Sequence, residues 1–406
     1  MIASKPRVVF KTHSFPNVSE TFIVNNIKAA VQKGFDIAIL VNKKNSILES
    51  SQADTIEELN LMDKVVENKV PLKKKNRISI ALKYLSHAKN LVFFVKYCTL
   101  KREVSLRFIF ILRLYASFRK NTVFHVHYAD MLQPLLDLKK IGYLKNKVIV
   151  TFHGYDAHYL PEKDALRLLL KDFQNHVHVI HVNSLYLKNK LVSKGFEAAK
   201  ITVFPIPVDV TIFNLKENQR DSQAEKTRLI TVGRLIDLKG QRFGIRAIKR
   251  LKEKGHNLSY TIVGDGPKRL ELEHMVAKFE LQETVRFLGH KTQKEIVKLL
   301  TDHDIYLMTS VSDTEDREEA FGLVSIEAQV MGLPVVGFNS GGFPETITSE
   351  SGLLAKQKDV PELVAQIELL LEDKSLYSEM SRCAIANVKN NFSAAIIYER
   401  LIKEYC

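Results

Sequence analysis

Two kinds of segment alternate along the chain: short apolar runs rich in β-branched residues, and longer amphipathic segments whose hydrophobic positions have helical spacing. In the first half the pattern predicts a helix near 21–33 and strands at 7–10, 36–41, 123–126, 148–152 and 177–182. Residues 45–120 are charged and mostly helical in pattern. Strands that alternate with helices are typical of a parallel sheet covered on both faces. The first half therefore predicts a doubly wound α/β domain.

The second half repeats this order more regularly. Strands are predicted at 228–232, 259–263, 285–287, 305–308 and 334–337, and helices at 241–254, 268–279 and 293–301. Between the halves, two prolines are followed by a polar run that cannot build a core. We therefore expect a first Rossmann-like domain at 1–205, a linker at 206–226 and a second Rossmann-like domain from 227 onward. In such domains ligands bind at the carboxyl ends of the strands.

The chain has 406 residues, a length that suits two domains. Three widely spaced cysteines, Cys98, Cys383 and Cys406, form no disulfide or metal-ligand pattern and favour a reducing, cytoplasmic compartment. The N-terminus lacks the apolar core of a signal peptide. The longest apolar stretch, 92–117, is interrupted by six charged residues, so we do not expect it to cross a membrane.

Positive charge is concentrated in the first half of the chain. Residues 1–200 hold 33 Lys and Arg against 16 Asp and Glu, whereas the remainder holds 27 against 30. From 71 to 120, Glu103 is the only acid among thirteen cations, and apolar residues interleave at helix-like spacing. This surface suits an anionic membrane or a phosphate-bearing lipid, although a solvated helical face has the same pattern. No nucleic-acid-binding motif accompanies the charge, so we expect no nucleic acid partner.

Candidate chemistry begins after the first strand of the second half. Gly233 allows a sharp turn, and Arg234 and Lys239 then project from the edge of the sheet. Two cations at this place suit a diphosphate, because Arg offers a fork of donors and Lys a point charge. Pairing with surface acids is the alternative.

The most specific feature is the segment from Glu319 to Glu327. Gly322 can break the chain before a helix that starts near Leu323, so the free amides of Leu323 and Val324 would form an anion site. Glu319 precedes this helix, and Glu327 lies about one turn into it. Two carboxylates beside a phosphate suit a ligand that also carries hydroxyl groups, such as a sugar or a ribose. Two solvated helix acids are the alternative.

Three further patterns favour structural interpretations. The turn at Gly264–Gly266 follows a strand, and many Rossmann-like domains turn this way without a ligand at that loop. His125 and His127 alternate in a strand with no adjacent third ligand, which favours core or cleft-lining side chains over a metal site. Asp302 and Asp304 stand at the entry to a buried strand and do not indicate a metal site either. We expect no metal.

Together, Glu-x7-Glu, the upstream Gly233-Arg234 and Lys239, and the downstream Ser340-Gly341-Gly342-Phe-Pro344-Glu345 resemble the group 1 glycosyltransferases, which are the retaining enzymes of glycosyltransferase family 4. The resemblance covers roughly residues 227–356. It implies the GT-B fold, two Rossmann-like domains that face each other across a cleft. It also implies a second domain at 227–390 and a C-terminal helix, 391–406, that crosses back to the first.

The resemblance also implies roles for individual residues. Arg234 and Lys239, with Gly233 beside them, would bind the diphosphate of a nucleotide-sugar donor. Glu319 would contact hydroxyls of the transferred sugar, and Glu327 would bind the ribose. Amides at Leu323 and Val324, following Gly322, would bind phosphate oxygens. His290 would lie near the base.

The first half matches more loosely. Phe15-Pro16-x-x-Ser19-Glu20-Thr21-Phe22 resembles the opening of transferases of bacterial exopolysaccharide assembly, such as colanic-acid-type enzymes. In Thr151-Phe152-His153-Gly154-x-Asp156, the resemblance places His153 beside the sugar and the phosphates. Many relatives carry a glycine-rich loop after the first strand, whereas residues 12–19 contain no glycine. Ser19 and Glu20 are therefore expected to serve the acceptor, with a phosphate as the alternative ligand.

The sequence and the resemblance together predict a cytoplasmic glycosyltransferase that uses a UDP- or GDP-linked sugar, and the resemblance implies that it is retaining and metal-independent. We expect its acceptor to be a lipid-linked oligosaccharide at the inner face of an anionic membrane. Three alternatives stay open at this point: a nucleotide-sugar 2-epimerase, a non-catalytic nucleotide-sugar binding protein, and a dinucleotide-binding oxidoreductase suggested only by the turn at Gly264–Gly266.

Overall fold

The computed structural model describes residues 5–17, 20–68, 74–213 and 226–406. The chain divides into two compact units. The first comprises 1–182, 188–203 and 399–406, and the second comprises 183–187 and 204–398.

The first unit is built on a seven-stranded sheet in the order β3-β2-β1-β4-β5-β6-β7, in which every pairing is parallel. Its strands are β1 Arg7–Phe15, β2 Ile37–Lys44, β3 Val65–Glu67, β4 Thr122–His127, β5 Lys147–Thr151, β6 Val179–Val182 and β7 Ile201–Val203. Its helices are α1 Thr21–Gln32, α2 Ala53–Glu58, α3 Lys74–Leu85, α4 Ala88–Lys101, α5 Arg107–Ala116, α6 Leu135–Lys140, α7 Tyr155–His158, α8 Lys163–His176 and α9 Leu185–Ser193, whose first residues belong to the second unit.

The second unit has a six-stranded parallel sheet in the order β10-β9-β8-β11-β12-β13. Its strands are β8 Thr227–Val232, β9 Leu258–Val263, β10 Val285–Phe287, β11 Ile305–Met308, β12 Val335–Phe338 and β13 Gly352–Ala355. Its helices are α10 Gln241–Glu253, α11 Arg269–Lys278, α12 Gln293–Thr301, α13 Leu323–Val330, α14 Val360–Glu372, α15 Lys374–Asn391 and α16 Ala394–Lys403, whose last residues belong to the first unit.

Both faces of the second sheet are covered, because successive side chains of a strand point to opposite faces. Leu229 and Leu307 pack in a cluster with the buried sides of α10 and α14. Ile230 and Tyr306, one residue along, pack in a second cluster with α13 and α15. The prediction of two doubly wound α/β domains with parallel sheets is confirmed.

The first strand is longer than predicted. Instead of ending at Phe10, β1 continues to Phe15, so four of the eight residues of the glycine-free segment 12–19 belong to a strand. The continuation begins with Lys11, a charged residue that is 3% exposed. Its ammonium group donates to the carbonyl oxygens of Met131 and Gln133. These carbonyl groups compensate for burial of the amine, a long-range arrangement that the local pattern could not show.

The predicted linker, 206–226, is described only up to 213 and at 226. Residues 206–213 group with the second unit, where Val208 and Phe213 are buried. Val208 forms a backbone bridge with Ser393. At the C-terminus, Tyr405 is buried in the first unit.

Within the part of the chain that the structure describes, no helix combines the length and the apolar character needed to span a bilayer.

Candidate functional site

Because all strands of the first sheet are parallel, the segments that follow β1, β4 and β5 emerge at the same edge. Glu20 lies there, just before α1. Its Oε1 accepts a hydrogen bond from the Tyr128 hydroxyl at 2.9 Å, and its Oε2 accepts one from Asn17 Nδ2 at 2.8 Å. Tyr128 follows β4 and has a φ of 74°. Glu20 is therefore a fixed carboxylate at the sheet edge, while Ser19 lies outside the described residues.

His153 follows β5 at the same edge. Its ring lies 4.4 Å from the ring of Phe22 and 4.7 Å from that of Tyr128. Its Nε2 shares a hydrogen bond of 3.1 Å with Nδ1 of His127. Burial lowers the pKa of His153 to about 3, so the imidazole is neutral at physiological pH. A neutral imidazole can donate from one nitrogen and accept at the other, but it brings no positive charge to a phosphate.

Asp156 connects the segments that follow β4 and β5 through hydrogen bonds. Its Oδ1 accepts from the backbone N–H of His153 at 2.9 Å, and its Oδ2 accepts from that of Ala129 at 3.0 Å. Burial raises the pKa of Asp156 to about 6, although these N–H groups act in the opposite direction. One buried carboxyl group therefore joins the segments after β4 and β5.

His125 and His127 are fully buried, and their rings stack at 4.4 Å. His125 contacts the Tyr405 hydroxyl and Thr151 Oγ1, both at 2.7 Å. Burial lowers the pKa of both imidazoles. These contacts support the interpretation of the pair as core side chains.

In the second unit, Gly233 and Arg234 follow β8, and a 3-10 turn at Asp237–Lys239 comes next. This loop packs directly against the turn after β9. A Cβ atom on Gly264 would lie 2.0 Å from the carbonyl oxygen of Gly233, at a φ of 130° that already favours glycine. The Gly264–Gly266 turn thus positions the loop that carries Arg234, in agreement with its structural interpretation.

Lys239 and Glu319 form an ion pair, although they are 80 residues apart. The same carboxylate oxygen of Glu319 accepts from Ser310 Oγ at 3.2 Å. The backbone of Glu319 packs closely against that of Gly341, since a Cβ atom on Gly341 would lie 2.2 Å from the Glu319 carbonyl oxygen. The downstream Gly-Gly pair therefore has a steric role, which is to let two backbones touch.

Gly322 stands at the N-cap of α13 with a φ of 90°, as the sequence predicted for a break before this helix. The amides of Leu323 and Val324 belong to the first turn and have no acceptor within the helix. Glu327 lies one turn further on and is buried. Burial raises the pKa of Glu327 to about 8, so the carboxyl group is mostly protonated at neutral pH. Both Glu319 and Glu327 act to raise the pKa of Tyr306.

Arg234 and His290 are exposed. Among the described residues, the Arg234 guanidinium has no hydrogen-bond or ion-pair partner. His290 follows β10, which is separated from β8 by β9. The structure therefore brings Gly233, Lys239 and Glu319 together, with Gly322 three residues after Glu319, and it places Arg234 and His290 along the same edge of the sheet. Their roles stay predictions.

Three residues of these surroundings were missed by the sequence reasoning, namely Tyr128, Ser310 and His127 as a partner of His153. Tyr128 and Ser310 each follow a strand at its carboxyl end, which was the available signal. The positive φ of Tyr128 has no sequence signature, since tyrosine rarely adopts it.

Two groups of side chains bear on a metal site. Asp304 forms an ion pair with the Arg228 guanidinium at 2.8 Å, as expected for a structural residue. Among the described residues, His256, Glu368 and Glu372 place ligand atoms within 4.8 Å of one another. His256 precedes β9, at the opposite edge of the sheet from Glu319, and Glu368 is already paired with Lys254 at 2.6 Å. This group is therefore separate from the candidate site.

Comparisons with known proteins agree with this arrangement. The model of Glycosyltransferase Family 4 matches residues 19–212, and the model of Glycosyl transferases group 1 matches residues 213–387. The chain belongs to the group 1, family 4 glycosyltransferases.

The transferase is similar over its whole length to curated relatives. It is 28% identical to the amylovoran biosynthesis glycosyltransferase AmsK of Erwinia amylovora, over 97% of this chain and 98% of the relative. It is 27% identical, over the same shares, to the putative colanic acid biosynthesis glycosyltransferase WcaL of Escherichia coli.

Among solved structures, the transferase matches Anabaena Alr3699/HepE in complex with UDP and glucose, with a TM-score of 0.73 and 16% identity over 98% of this chain and 99% of that one. At this identity the match shows the fold alone. The fold is GT-B, built from two Rossmann-like units.

Proposed function

We propose that this glycosyltransferase transfers a hexose from a UDP- or GDP-linked donor with retention of anomeric configuration. The arrangement around α13 carries the proposal. A cation and a carboxylate pair there, and the helix whose first amides belong to Leu323 and Val324 begins four residues after that carboxylate. A nucleotide sugar offers phosphate oxygens and hydroxyl groups that match these donors and acceptors. The neighbour that binds UDP and glucose supports the same donor class.

In this proposal Lys239 and Arg234 bind the diphosphate, with the amides of Leu323 and Val324 on its oxygens. These groups stabilise the negative charge that develops as the nucleoside diphosphate departs, which is a large contribution to catalysis in many enzymes. Two side-chain cations and two amides supply this charge from the chain itself, so the mechanism needs no bound metal. Gly233 and Gly322 let the backbone approach the donor closely.

Glu319 contacts hydroxyls of the transferred sugar. Lys239 pairs with this carboxylate. In the proposal, donor binding exchanges the ion pair for a Lys239–phosphate contact and a Glu319–hydroxyl contact. Glu327 binds the ribose, and His290 lies near the base. His153, as a neutral imidazole, donates a hydrogen bond to the sugar or to the leaving phosphate. No side chain is assigned as a general base, and the departing phosphate takes the acceptor proton.

We further propose that the acceptor is a lipid-linked oligosaccharide at the cytoplasmic face of an anionic membrane, in the assembly of a cell-surface polysaccharide. The names of the relatives, which refer to amylovoran and colanic acid, support this pathway class. The basic, apolar-interleaved segment from 71 to 120 supports the membrane. Glu20, fixed by Tyr128, serves the acceptor, together with Ser19.

A thermal-shift panel of UDP- and GDP-sugars on the wild type and on Glu327→Ala tests the donor. A ligand at 100 times its dissociation constant stabilises by about 2.7 kcal/mol. We expect one nucleotide class to raise the Tm of the wild type and to lose most of that effect on Glu327→Ala. The exposed Glu283→Ala serves as the matched control. A shift with NAD or RNA in place of the nucleotide sugars would contradict the proposal, and release of an epimerised nucleotide sugar without acceptor would indicate a 2-epimerase.

A further inference from the structure

Large hydrophobic side chains are exposed most densely on α3, on α4 and on the segment that follows. Among the described residues, 18 large hydrophobic side chains are exposed, and eight of them fall between residues 78 and 106. They are Ile78, Leu82, Leu91, Val92, Val95, Leu100, Val104 and Leu106. Single exposed apolar residues are ordinary, but a cluster of this density marks an interaction surface.

Four of these side chains form two pairs on the exposed sides of the two helices. Ile78 and Leu82 are four residues apart on α3, and Leu91 and Val95 are four apart on α4, so each pair shares one side of its helix. The inner side of α4 is anchored by Tyr97, whose buried ring stacks on Phe108 at 4.5 Å. The outward apolar side is therefore presented by helices that are already packed against the unit.

The charges around these side chains are predominantly positive. Between residues 77 and 107 the chain has seven Lys and Arg and one acid, Glu103. Lys101 pairs with Asp137 at 3.1 Å. Among the described residues, Lys83, Lys89 and Arg102 have no ion-pair partner. An apolar centre surrounded by free cations complements a bilayer that carries anionic headgroups.

A groove beside this surface has the chemistry of a phosphate site. It measures about 380 Å³ and is lined by Ser79, Ile80, Lys83, Tyr84, His87, Asn90 and Arg113. A second groove of about 450 Å³ adjoins it and shares Ile80 and Arg113. Arg113 is exposed and, within the described part of the chain, has no ion-pair partner. A groove lined by a guanidinium and an ammonium group, together with the hydroxyl-bearing Ser79 and Tyr84, suits the phosphate of a lipid.

We propose that the α3–α4 surface lies in the interface of an anionic bilayer, with Val92 and Val95 inserted and a lipid phosphate between Lys83 and Arg113. This inference rests on the proposed function, in which the acceptor is carried by a membrane lipid, and it names the part of the chain that binds the membrane. No described helix can span a bilayer, so the helices lie along the surface.

Co-sedimentation with vesicles tests the proposal on the full chain. The vesicles contain phosphatidylcholine, with or without phosphatidylglycerol. We expect binding only to the anionic vesicles, and a loss of about fivefold in the partition coefficient for each cation removed in Lys83→Gln and Arg113→Gln. The double variant Val92→Ser, Val95→Ser removes the inserted side chains. We expect its remaining vesicle binding to be electrostatic and to be abolished by added salt.

Matched controls are Lys278→Gln with Lys389→Gln, and Leu270→Ser with Leu369→Ser, which change exposed residues of the second unit. These variants bind vesicles like the wild type if the proposal holds. Equal binding to neutral vesicles, or equal losses in the controls, would overturn it. So would binding of inorganic phosphate at the groove without any vesicle binding.

The nucleotide-sugar thermal shift, measured on the same preparations, separates the two proposals. A retained shift without vesicle binding refutes the membrane surface alone. Vesicle binding without any nucleotide shift refutes the donor site alone.

Discussion

At the scale of single residues, burial without a charged partner changes the chemistry of Glu327. Its pKa is raised from 4.5 to about 8, so the folded protein binds a proton between these pH values that the unfolded chain releases. Stability therefore falls as the pH rises from about 4.5 to about 8 and is constant with respect to this group above that range. A ribose whose hydroxyls donate to the carboxylate would favour ionisation, so donor binding is expected to release protons at neutral pH.

Glu327→Gln should remove this pH dependence while preserving the shape of the side chain. We expect the variant to gain stability relative to the wild type as the pH rises from 5 to 9, by on the order of a few kcal/mol. Urea unfolding at both pH values measures the difference. Glu283→Gln, at an exposed position, should follow the wild type. Parallel pH profiles for Glu327→Gln and the wild type would show that Glu327 is ionised in the folded protein.

His127 is expected to position His153 rather than to touch substrate. Its Nδ1 lies 3.1 Å from Nε2 of His153, and this contact fixes the ring. His127→Phe keeps an aromatic ring but removes the hydrogen bond, so kcat should fall about tenfold, equivalent to about 1.4 kcal/mol, with nucleotide affinity unchanged.

His127→Asn retains an amide nitrogen near the position of Nδ1 and should recover part of the loss. Steady-state kinetics and thermal unfolding of both variants check this expectation. A full kcat in His127→Phe, or equal losses of kcat in both variants accompanied by unfolding, would contradict the positioning role.

At the scale of elements, the second unit depends on loops whose backbones touch. Gly264→Ala would bring a Cβ atom to 2.0 Å from the Gly233 carbonyl oxygen at a positive φ. Gly255 has a positive φ of 89° but nothing within 4 Å, so it isolates the cost of the backbone angle. We expect Gly255→Ala to cost about 1 kcal/mol and Gly264→Ala more than about 3 kcal/mol, with loss of nucleotide binding. Equal costs in chemical denaturation would contradict the close approach.

The strands that bear the candidate residues were predicted within one or two residues in the second unit, where β10 and β11 match their predicted bounds. The regular alternation of strands with amphipathic helices made this possible even for β10, which has only three residues. The edge strands β3, β7 and β13 were missed: they are equally short, and nothing beyond their own three or four residues marked them as strands in the pattern. The end of β1 was missed because Lys11 interrupts the apolar pattern, and the carbonyl groups that accept from it lie 120 residues away or more.

The same limit applies to the candidate site. Glu319, Gly322 and Glu327 were identified from their spacing in one segment. By contrast, the ion pair of Lys239 with Glu319 joins residues 80 apart, and the hydrogen bond of Tyr128 to Glu20 joins residues 108 apart. Such partners depend on the order of strands in a sheet, which local patterns do not contain.

At the scale of the whole molecule, the chain combines a basic first half with a nearly neutral second half. The two proposed binding sites follow this asymmetry: α3–α4 in the basic half recognise an anionic lipid surface, and the residues around α13 in the other half recognise a nucleotide sugar. Because charge-driven association is screened by salt, vesicle binding should weaken as ionic strength rises, whereas binding at the partly enclosed donor residues should change less. Titrating salt in the two binding assays compares these responses, and equal salt dependence would contradict this assignment of the two sites.

Sugar transfer from a nucleotide donor is tested most directly by measuring acceptor-dependent transfer. Radiolabelled UDP- and GDP-sugars are incubated with the protein and a lipid extract from a polysaccharide-producing bacterium, and label is counted in the organic phase. We expect one donor to deliver label to lipid with equal release of nucleoside diphosphate, and Lys239→Gln with Arg234→Gln to lower this rate at least about 100-fold. Absence of label in lipid, with the nucleotide sugar unchanged or epimerised in solution, would contradict the proposed transfer.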